Sequence, residues 1–496
     1  MLSDRYPNPD QSKEHVHDQV DVNQPFEHMR LRYSSQPIFQ LYVPVLIVAL
    51  TIGYFQYHKI PLPPIMPSQP SPQEVASSLL ADKGLEVVSI TLLQSLWAGY
   101  GQICRIEASQ KKASSQSESQ HTTTPQKETN SYILKLITPP STTSNNEGHT
   151  RKILSYQIEQ YFYTHLAPQM PSSIPVAKCL ASINEQNQDG TSTTAMILTD
   201  LKQTFSLAGE KRAALTPVQT LAALDWLSNF HGFWWSGVSH FDGDELVLPP
   251  LEQLKRNSST GDQLKQQSVW LNGGYTYLAT RLDEFANLAS DTDSEWSSIL
   301  TQAHPLSSPN PGSSSNLSLA EQVARFLTPS PPTSNSSDST TTKSPISKYQ
   351  TLIHGDVKSE NLFTDTAGTS VAFYDFQYVG LGLGVSDLAK FFTCSVPLSM
   401  LLSSPGQQQQ RQSSIPQELA MQSGEKELLE RYWKNLTEMS GGKEYEWEIF
   451  VGHWEVALVD WLRFQMSWGQ WGNAEWLEAR VRWILAEGRL RETLSG

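Results

Sequence analysis

The chain has 496 residues, with 50 Asp and Glu against 36 Lys and Arg, a formal net charge of −14. That balance excludes a general nucleic-acid binder, since phosphate contacts need concentrated Lys and Arg. Three widely separated cysteines, Cys104, Cys179 and Cys394, exclude a disulfide framework and a CxxC zinc motif, and read as reduced, buried thiols.

A length of 496 residues holds two or three ordinary domains or one large bilobal one. The hydrophobic content of 38% is low for that size because Ser, Thr, Gln and Pro tracts dilute it, so the folded part is shorter than the chain. Residues 1–36 read as a disordered polar tail. Between Arg32 and His58 no side chain is formally charged, and Ile38–Phe55 reaches the lower limit for spanning a hydrocarbon core about 30 Å thick. Residues 37–57 are therefore a candidate single-pass transmembrane helix, with a buried helix of the folded domain as the alternative. Residues 58–84, "KIPLPPIMPSQPSPQ" included, read as a Pro-rich linker.

From Leu85 the pattern changes. "LEVVSITLL", "QICRIEA", "SYILKLI" and "TAMILTDL" read as strands; Gly99 and Gly101 in "WAGYGQ" mark the first turn, and the Ser- and Gln-rich stretch after Ser109 reads as a solvated insertion. "KILSYQIEQYFYTHLAP" and "TPVQTLAALDWLSNFHGFWW" carry helical spacing, the second opened by Thr-Pro. Residues 85–200 thus predict a small strand-rich lobe and residues 201–490 a larger helical one. The Ser/Pro/Thr tract at 305–346 and the Gln run at 407–410 read as loops, and the Trp-rich C-terminal segment as helix.

"LIHGDVKSENLF" and "VAFYDFQYVG" carry the chemistry. Phosphoryl transfer needs a carboxylate to orient a hydroxyl, oxygen ligands for Mg²⁺ and positive charge on the phosphates. Asp356 can take the hydroxyl proton, Asn361 can bind metal from the same loop, and the strand "SVAFYDF" returns Asp375 as a second metal ligand. An ordinary Asx-rich turn explains Asp356 and Asn361 but not the matching Asp375.

"HGDVKSEN", "YDFQYVG" and "SDLAKFF" together resemble the aminoglycoside phosphotransferase and choline kinase superfamily, within it the choline-kinase-like (CHK), ecdysteroid-kinase-like group. The resemblance covers about residues 85–490 and implies a bilobal protein-kinase-like α+β fold. It also implies ATP- and Mg-dependent transfer of the γ-phosphoryl group to a hydroxyl of choline, ethanolamine, an aminoglycoside or a steroid-like alcohol. Carried over by residue, Asp356 resembles the catalytic base, and Asn361 and Asp375 the metal ligands. Lys135 resembles the strand lysine on the nucleotide phosphates, Glu159 the helix residue that holds it, and Gly99 and Gly101 a shortened phosphate-covering turn. Lys358 departs from the family pattern and resembles the protein-kinase lysine that contacts the transferring phosphate; neither H-R-D nor A-P-E is present to make the chain a protein kinase. A membrane-tethered pseudokinase that binds without turnover is the competing function. Asp387 is expected to anchor a loop, His354 to orient one, and Asp460 with Arg463 to form a surface ion pair. A kinase supplied by cytosolic ATP implies that the catalytic domain faces the cytosol. The Arg30 and Arg32 bias and the sequons at Asn257, Asn316, Asn335 and Asn435 point the other way.

Overall fold

Alternation along the four predicted strands puts every second side chain on one face, and the sheet uses both faces. The computed structural model describes residues 70–96, 99–111, 128–140, 147–186, 192–260, 267–303, 317–330, 344–403 and 414–495. Helix α1 (Pro72–Ala81) precedes β1 (Leu85–Ser95), β2 (Gly101–Gln110), β3 (Thr129–Ile137), α2 (Glu147–Tyr161), β4 (Cys179–Gln186) and β5 (Ser192–Thr199). The five strands form one antiparallel sheet in the order β1-β2-β3-β5-β4. On one face Ile106, Leu134, Leu136, Ala195 and Ile197 pack under Val75, Ala76, Leu79 and Leu80 of α1. The opposite face of the central strands carries Lys135 and Met196, paired in register, and Met196 belongs to the larger core of the molecule.

Helix α1 lies where Pro-rich composition suggests a linker. Pro72 sits in its first turn, where the missing N–H costs nothing. Ser71 and Glu74 form a reciprocal capping box, Glu74 N donating to Ser71 Oγ at 3.3 Å and Ser71 N to Glu74 Oε2 at 2.8 Å. Strand β4 is likewise absent from the sequence reading. Beyond Asp200 the fold is helical as expected, interrupted by short strands. In order come β6 (Leu207–Ala208), α3 (Pro217–Gly237), α4 (Pro250–Thr260), α5 (Leu282–Ser290), α6 (Glu295–Thr301) and α7 (Leu319–Phe326). There follow β7 (Thr351–Ile353), β8 (Leu362–Thr364), β9 (Val371–Phe373), β10 (Gly380–Gly382) and α8 (Gly384–Cys394). The chain ends with α9 (Leu398–Leu402), α10 (Ser423–Met439), α11 (Trp447–Trp468), α12 (Ala474–Glu487) and α13 (Arg489–Ser495). Helix α7 corrects the reading of 305–346 as loop throughout: Ser318 caps it, and Leu319, Val323 and Phe326 share one buried face.

The apolar run 38–55, the tail, the stretch 112–127 and the Gln run 407–410 lie outside the described residues. Among the described residues, no helix is long and apolar enough to cross a membrane. Most of the tryptophans sit in the large core, Trp454 and Trp476 fully buried, whereas Trp468 is 52% exposed.

Candidate active site

Strand β7 ends at Ile353 and pairs antiparallel with β10, so His354–Asn361 leaves the sheet as a loop, and the β8–β9 hairpin brings the chain back to Tyr374 and Asp375. Gly355 is required at its position: its φ is +82°, and a Cβ would lie 2.2 Å from the Tyr378 carbonyl oxygen. The buried Asp387 carboxylate, from the first turn of α8, accepts the amides of His354 at 2.7 Å and Gly355 at 2.9 Å and faces His231 Nε2 at 3.1 Å. Asp387 is thus the loop anchor the sequence suggested. His354 Nε2 donates to the Tyr374 carbonyl at 3.0 Å while Nδ1 accepts the Asp356 amide at 3.2 Å. Full burial lowers its proton affinity and keeps it a neutral brace for the loop.

Asp356 is enclosed by cations. Lys390 Nζ contacts Oδ1, Lys358 Nζ lies 3.2 Å from Oδ2, and Asn361 Nδ2 donates to Oδ2 at 2.9 Å and to the Asp356 carbonyl at 2.8 Å. Burial alone would raise the Asp356 proton affinity; Lys390 and then Lys358 outweigh it and hold the carboxyl well below the usual carboxylate range. Lys358 also meets Glu360 at 2.9 Å. Lys390 is absent from the candidate residues read from the sequence. Its signal was there: in "SDLAKFF" it sits three residues after Asp387 on α8, so the helix face that holds the loop backbone also presents the ammonium.

On the sheet side, Lys135 of β3 is almost fully buried, with Nζ 2.5 Å from Glu159 Oε2 and 3.3 Å from Asp375 Oδ1. Burial works against its charge, but Glu159 and Asp375 prevail and raise its proton affinity, so the ammonium stays charged. Asp375 has a φ of +67°, in the left-handed region that non-glycine residues rarely adopt, and its Oδ1 also accepts Gln377 Nε2 at 2.7 Å. The structure therefore brings Lys135, Glu159, Asp375, Asn361, Asp356 and Lys358 to one place. Gly99 and Gly101 stand at the β1–β2 turn with φ of +72° and +140°. A Cβ on Gly101 would lie 2.0 Å from the Leu136 carbonyl oxygen, so β3 by itself demands glycine there.

Asp460 and Arg463 correct the expectation of a surface pair. Arg463 is fully buried, meets Asp460 at 2.8 Å, and donates to the Thr276 carbonyl at 2.5 Å.

The donors available for a metal are one carboxylate, Asp375, whose side chain is 31% exposed, and the Asn361 amide, whose Oδ1 is left over when Nδ2 turns to Asp356. Among the described residues there is no cluster of three or more His, Cys, Asp or Glu side chains fit to hold a metal. One carboxylate and one amide oxygen suit Mg²⁺, which keeps waters and shares its shell with phosphates, and they suit poorly any ion that needs a full protein cage.

The family model described as APH, phosphotransferase enzyme family, matches residues 114–413, which include the whole Lys135-to-Lys390 constellation. The chain belongs to the phosphotransferase enzyme family. This bears out the superfamily resemblance and makes the chain a phosphotransferase. Among solved structures, it is similar to an amicoumacin kinase in complex with AMP-PNP, Ca²⁺ and Ami, at 12% identity, covering 81% of this chain and 88% of that one, TM-score 0.35. It is also similar to a Plasmodium vivax ethanolamine kinase, at 10% identity, 89% and 94% coverage and TM-score 0.33. For a choline kinase from Streptococcus pneumoniae the figures are 12% identity, 84% and 97% coverage and TM-score 0.31. No curated protein matches the phosphotransferase.

Proposed function

We propose that this phosphotransferase moves the γ-phosphoryl group of Mg-ATP to the hydroxyl of a small molecule. The observation that carries the reading is Asp356, a buried carboxylate kept ionised by two lysines and hydrogen-bonded by Asn361, within one cluster that also holds Asp375 and Lys135. Asp356 accepts the proton as the acceptor O–H bond breaks, while the new O–P bond forms and the bond from the γ-phosphorus to its bridging oxygen breaks, leaving ADP. Lys135 would bind the non-transferred phosphates, with Glu159 fixing its ammonium. Lys358, whose side chain is 27% exposed against 6% for Lys390, is the more accessible of the two and would turn from Glu360 to the transferring group. Asn361 and Asp375 would hold Mg²⁺, which neutralises phosphate charge when bound.

The test is ADP formation by the full-length protein, with and without Mg²⁺, against a panel of alcohols, beside an Asp356→Asn variant. Metal-dependent turnover lost in the variant is expected. Nucleotide binding with no turnover on any acceptor, and no Asp356-dependent ATP hydrolysis, points to the binding-only pseudokinase. Attachment to a membrane through residues 38–55, with the catalytic part in the cytosol, is part of the proposal. High-salt and alkaline washing of membranes tests the first, where release of the protein would refute it, and protease protection of sealed vesicles tests the second.

A further inference from the structure

The larger-lobe side of Asp356 is walled by the segment Asn272–Leu278 and the end of α11. The segment is tied to the loop: Tyr275 N donates to the Gly355 carbonyl at 2.9 Å and Gly274 N to the Tyr378 carbonyl at 3.0 Å. Two buried arginines hold it from behind, Arg281 Nε on the Tyr275 carbonyl at 2.7 Å and Arg463 Nη2 on that of Thr276. The Tyr275 ring is thereby fixed, meeting Tyr378 at 4.9 Å, Phe464 at 5.7 Å and Trp468 at 6.4 Å between centroids.

Such an aromatic wall beside a reacting hydroxyl ordinarily suits a positive ligand. Here the protein's own cations occupy it. The Arg281 guanidinium lies 3.7 Å from the Tyr275 centroid and 5.6 Å from that of Trp468, and the Lys390 ammonium 5.3 Å from Tyr275 and 5.6 Å from Trp461. Arg281 is 1% exposed, and its Nη2 has no hydrogen-bond partner among the described residues. Four carboxylates that touch these groups are engaged: Asp356 by Lys390 and Lys358, Asp387 by the loop amides and His231, Asp460 by Arg463, and Glu284 by Arg281. Glu252 and Asp283 are exposed and stand further out, within electrostatic reach of Tyr277 and of Glu147. What the wall still offers is the half-exposed indole of Trp468.

We propose that Lys390 and Arg281 make the acceptor subsite selective against cations: the alcohol phosphorylated is uncharged or anionic next to its hydroxyl, and its body lies on Trp468. A quaternary or primary ammonium on the acceptor would be set beside the buried Lys390, where the nearest carboxylates, Asp356, Asp387 and Asp460, are already paired. The inference rests on the phosphotransferase reading above and names the acceptor class for that same site.

The experiment uses full-length protein, Mg-ATP and alcohols in shape-matched pairs that differ in charge, beginning with choline and its carbon isostere 3,3-dimethylbutan-1-ol, and adds neutral, anionic and cationic alcohols of larger size. We expect kcat/KM for uncharged or anionic members to exceed that of their cationic partners by about tenfold or more. Lys390→Gln should shrink that ratio about tenfold, whatever it does to the absolute rate. Because Lys390 is buried, Trp468→Ala serves as the second variant: it should raise KM for the accepted alcohol about fivefold with kcat nearly unchanged, since it removes an exposed stacking face. A cationic member preferred over its isostere overturns the proposal, as does a panel in which no uncharged or anionic alcohol is accepted. Acceptor-independent ADP release that is lost in Asp356→Asn separates these failures from a failure of the phosphotransferase reading itself.

Discussion

The two sides of Asp356 share their charges in opposite ways. Towards the sheet, one ammonium, Lys135, is shared by two carboxylates, Glu159 and Asp375. Towards the helices, one carboxylate, Asp356, is shared by two ammoniums, Lys358 and Lys390, with Glu360 drawing on the first of these. On the proposed reading, the first arrangement leaves negative charge for a metal ion and holds a lysine for phosphates; the second keeps the Asp356 carboxylate ionised against the pull of burial. Neither cluster is a surface ion pair, so salt should screen both weakly.

The largest effect should come from breaking the second cluster at its centre. Asp356→Asn removes the proton acceptor and should lower turnover by about 10²–10⁴-fold in an ADP-release assay. It should also cost about 2 kcal/mol in denaturant unfolding, because the buried Lys390 loses its counter-charge. A variant that keeps wild-type turnover would remove Asp356 from the role of base. In the first cluster, Lys135→Met leaves Glu159 buried without a partner and should cost about 3 kcal/mol of stability together with ATP affinity. Adding Glu159→Leu should restore most of the stability and none of the affinity; recovery of both would make the lysine purely structural.

A control outside both clusters sharpens the contrast between buried charges that are balanced and a buried group that must stay neutral. His453, hydrogen-bonded to the Tyr445 hydroxyl at 2.5 Å, has its pKa pushed down to about 4 by burial. An unfolded chain takes up this proton near the ordinary pKa of about 6.5, so stability present above that pH is lost as pH falls towards 4, by about 3 kcal/mol in all. Thermal unfolding between pH 7 and 4 should show the loss, and His453→Gln should flatten that part of the profile. The smallest effects are expected at the metal donors: Asn361→Ala and Asp375→Ala should each weaken Mg-dependent ATP binding roughly tenfold. ATP titrations with and without Mg²⁺ that are unchanged in both variants would sink the two-donor assignment.

What was legible in the sequence was what is local. Asp356, Asn361 and Asp375 fall within one loop and one hairpin, so their spacing alone forecast the cluster, whereas alternation in "SYILKLI" suits a solvated lysine equally well and only the resemblance assigned Lys135 a role. Lys390, Tyr275 and Arg281 are separated from Asp356 by long stretches of chain, and only the packing of α8 and the segment before α5 brings them in. Composition misled twice for one reason. Pro and Ser weigh against helix in a window average, yet at α1 and α7 they sit at the ends, where capping makes them favourable. Arg463 reads as an exposed partner of Asp460 because i,i+3 spacing on a helix says nothing about which way that face looks.

Helix α8 touches the active loop twice, through Asp387 on its main chain and Lys390 on the carboxylate, one turn apart. Backbone and base are therefore gauged from a single rigid rod, and their relative position is a matter of helical phase. Inserting one residue between Leu383 and Asp387 would rotate both contacts by about 100° and cancel them together. Lengthening the chain at the polar stretches far from this rod would leave the gauge untouched. If the acceptor lies on Trp468 as proposed, its adjustment by substitution has wide latitude there, and almost none along α8.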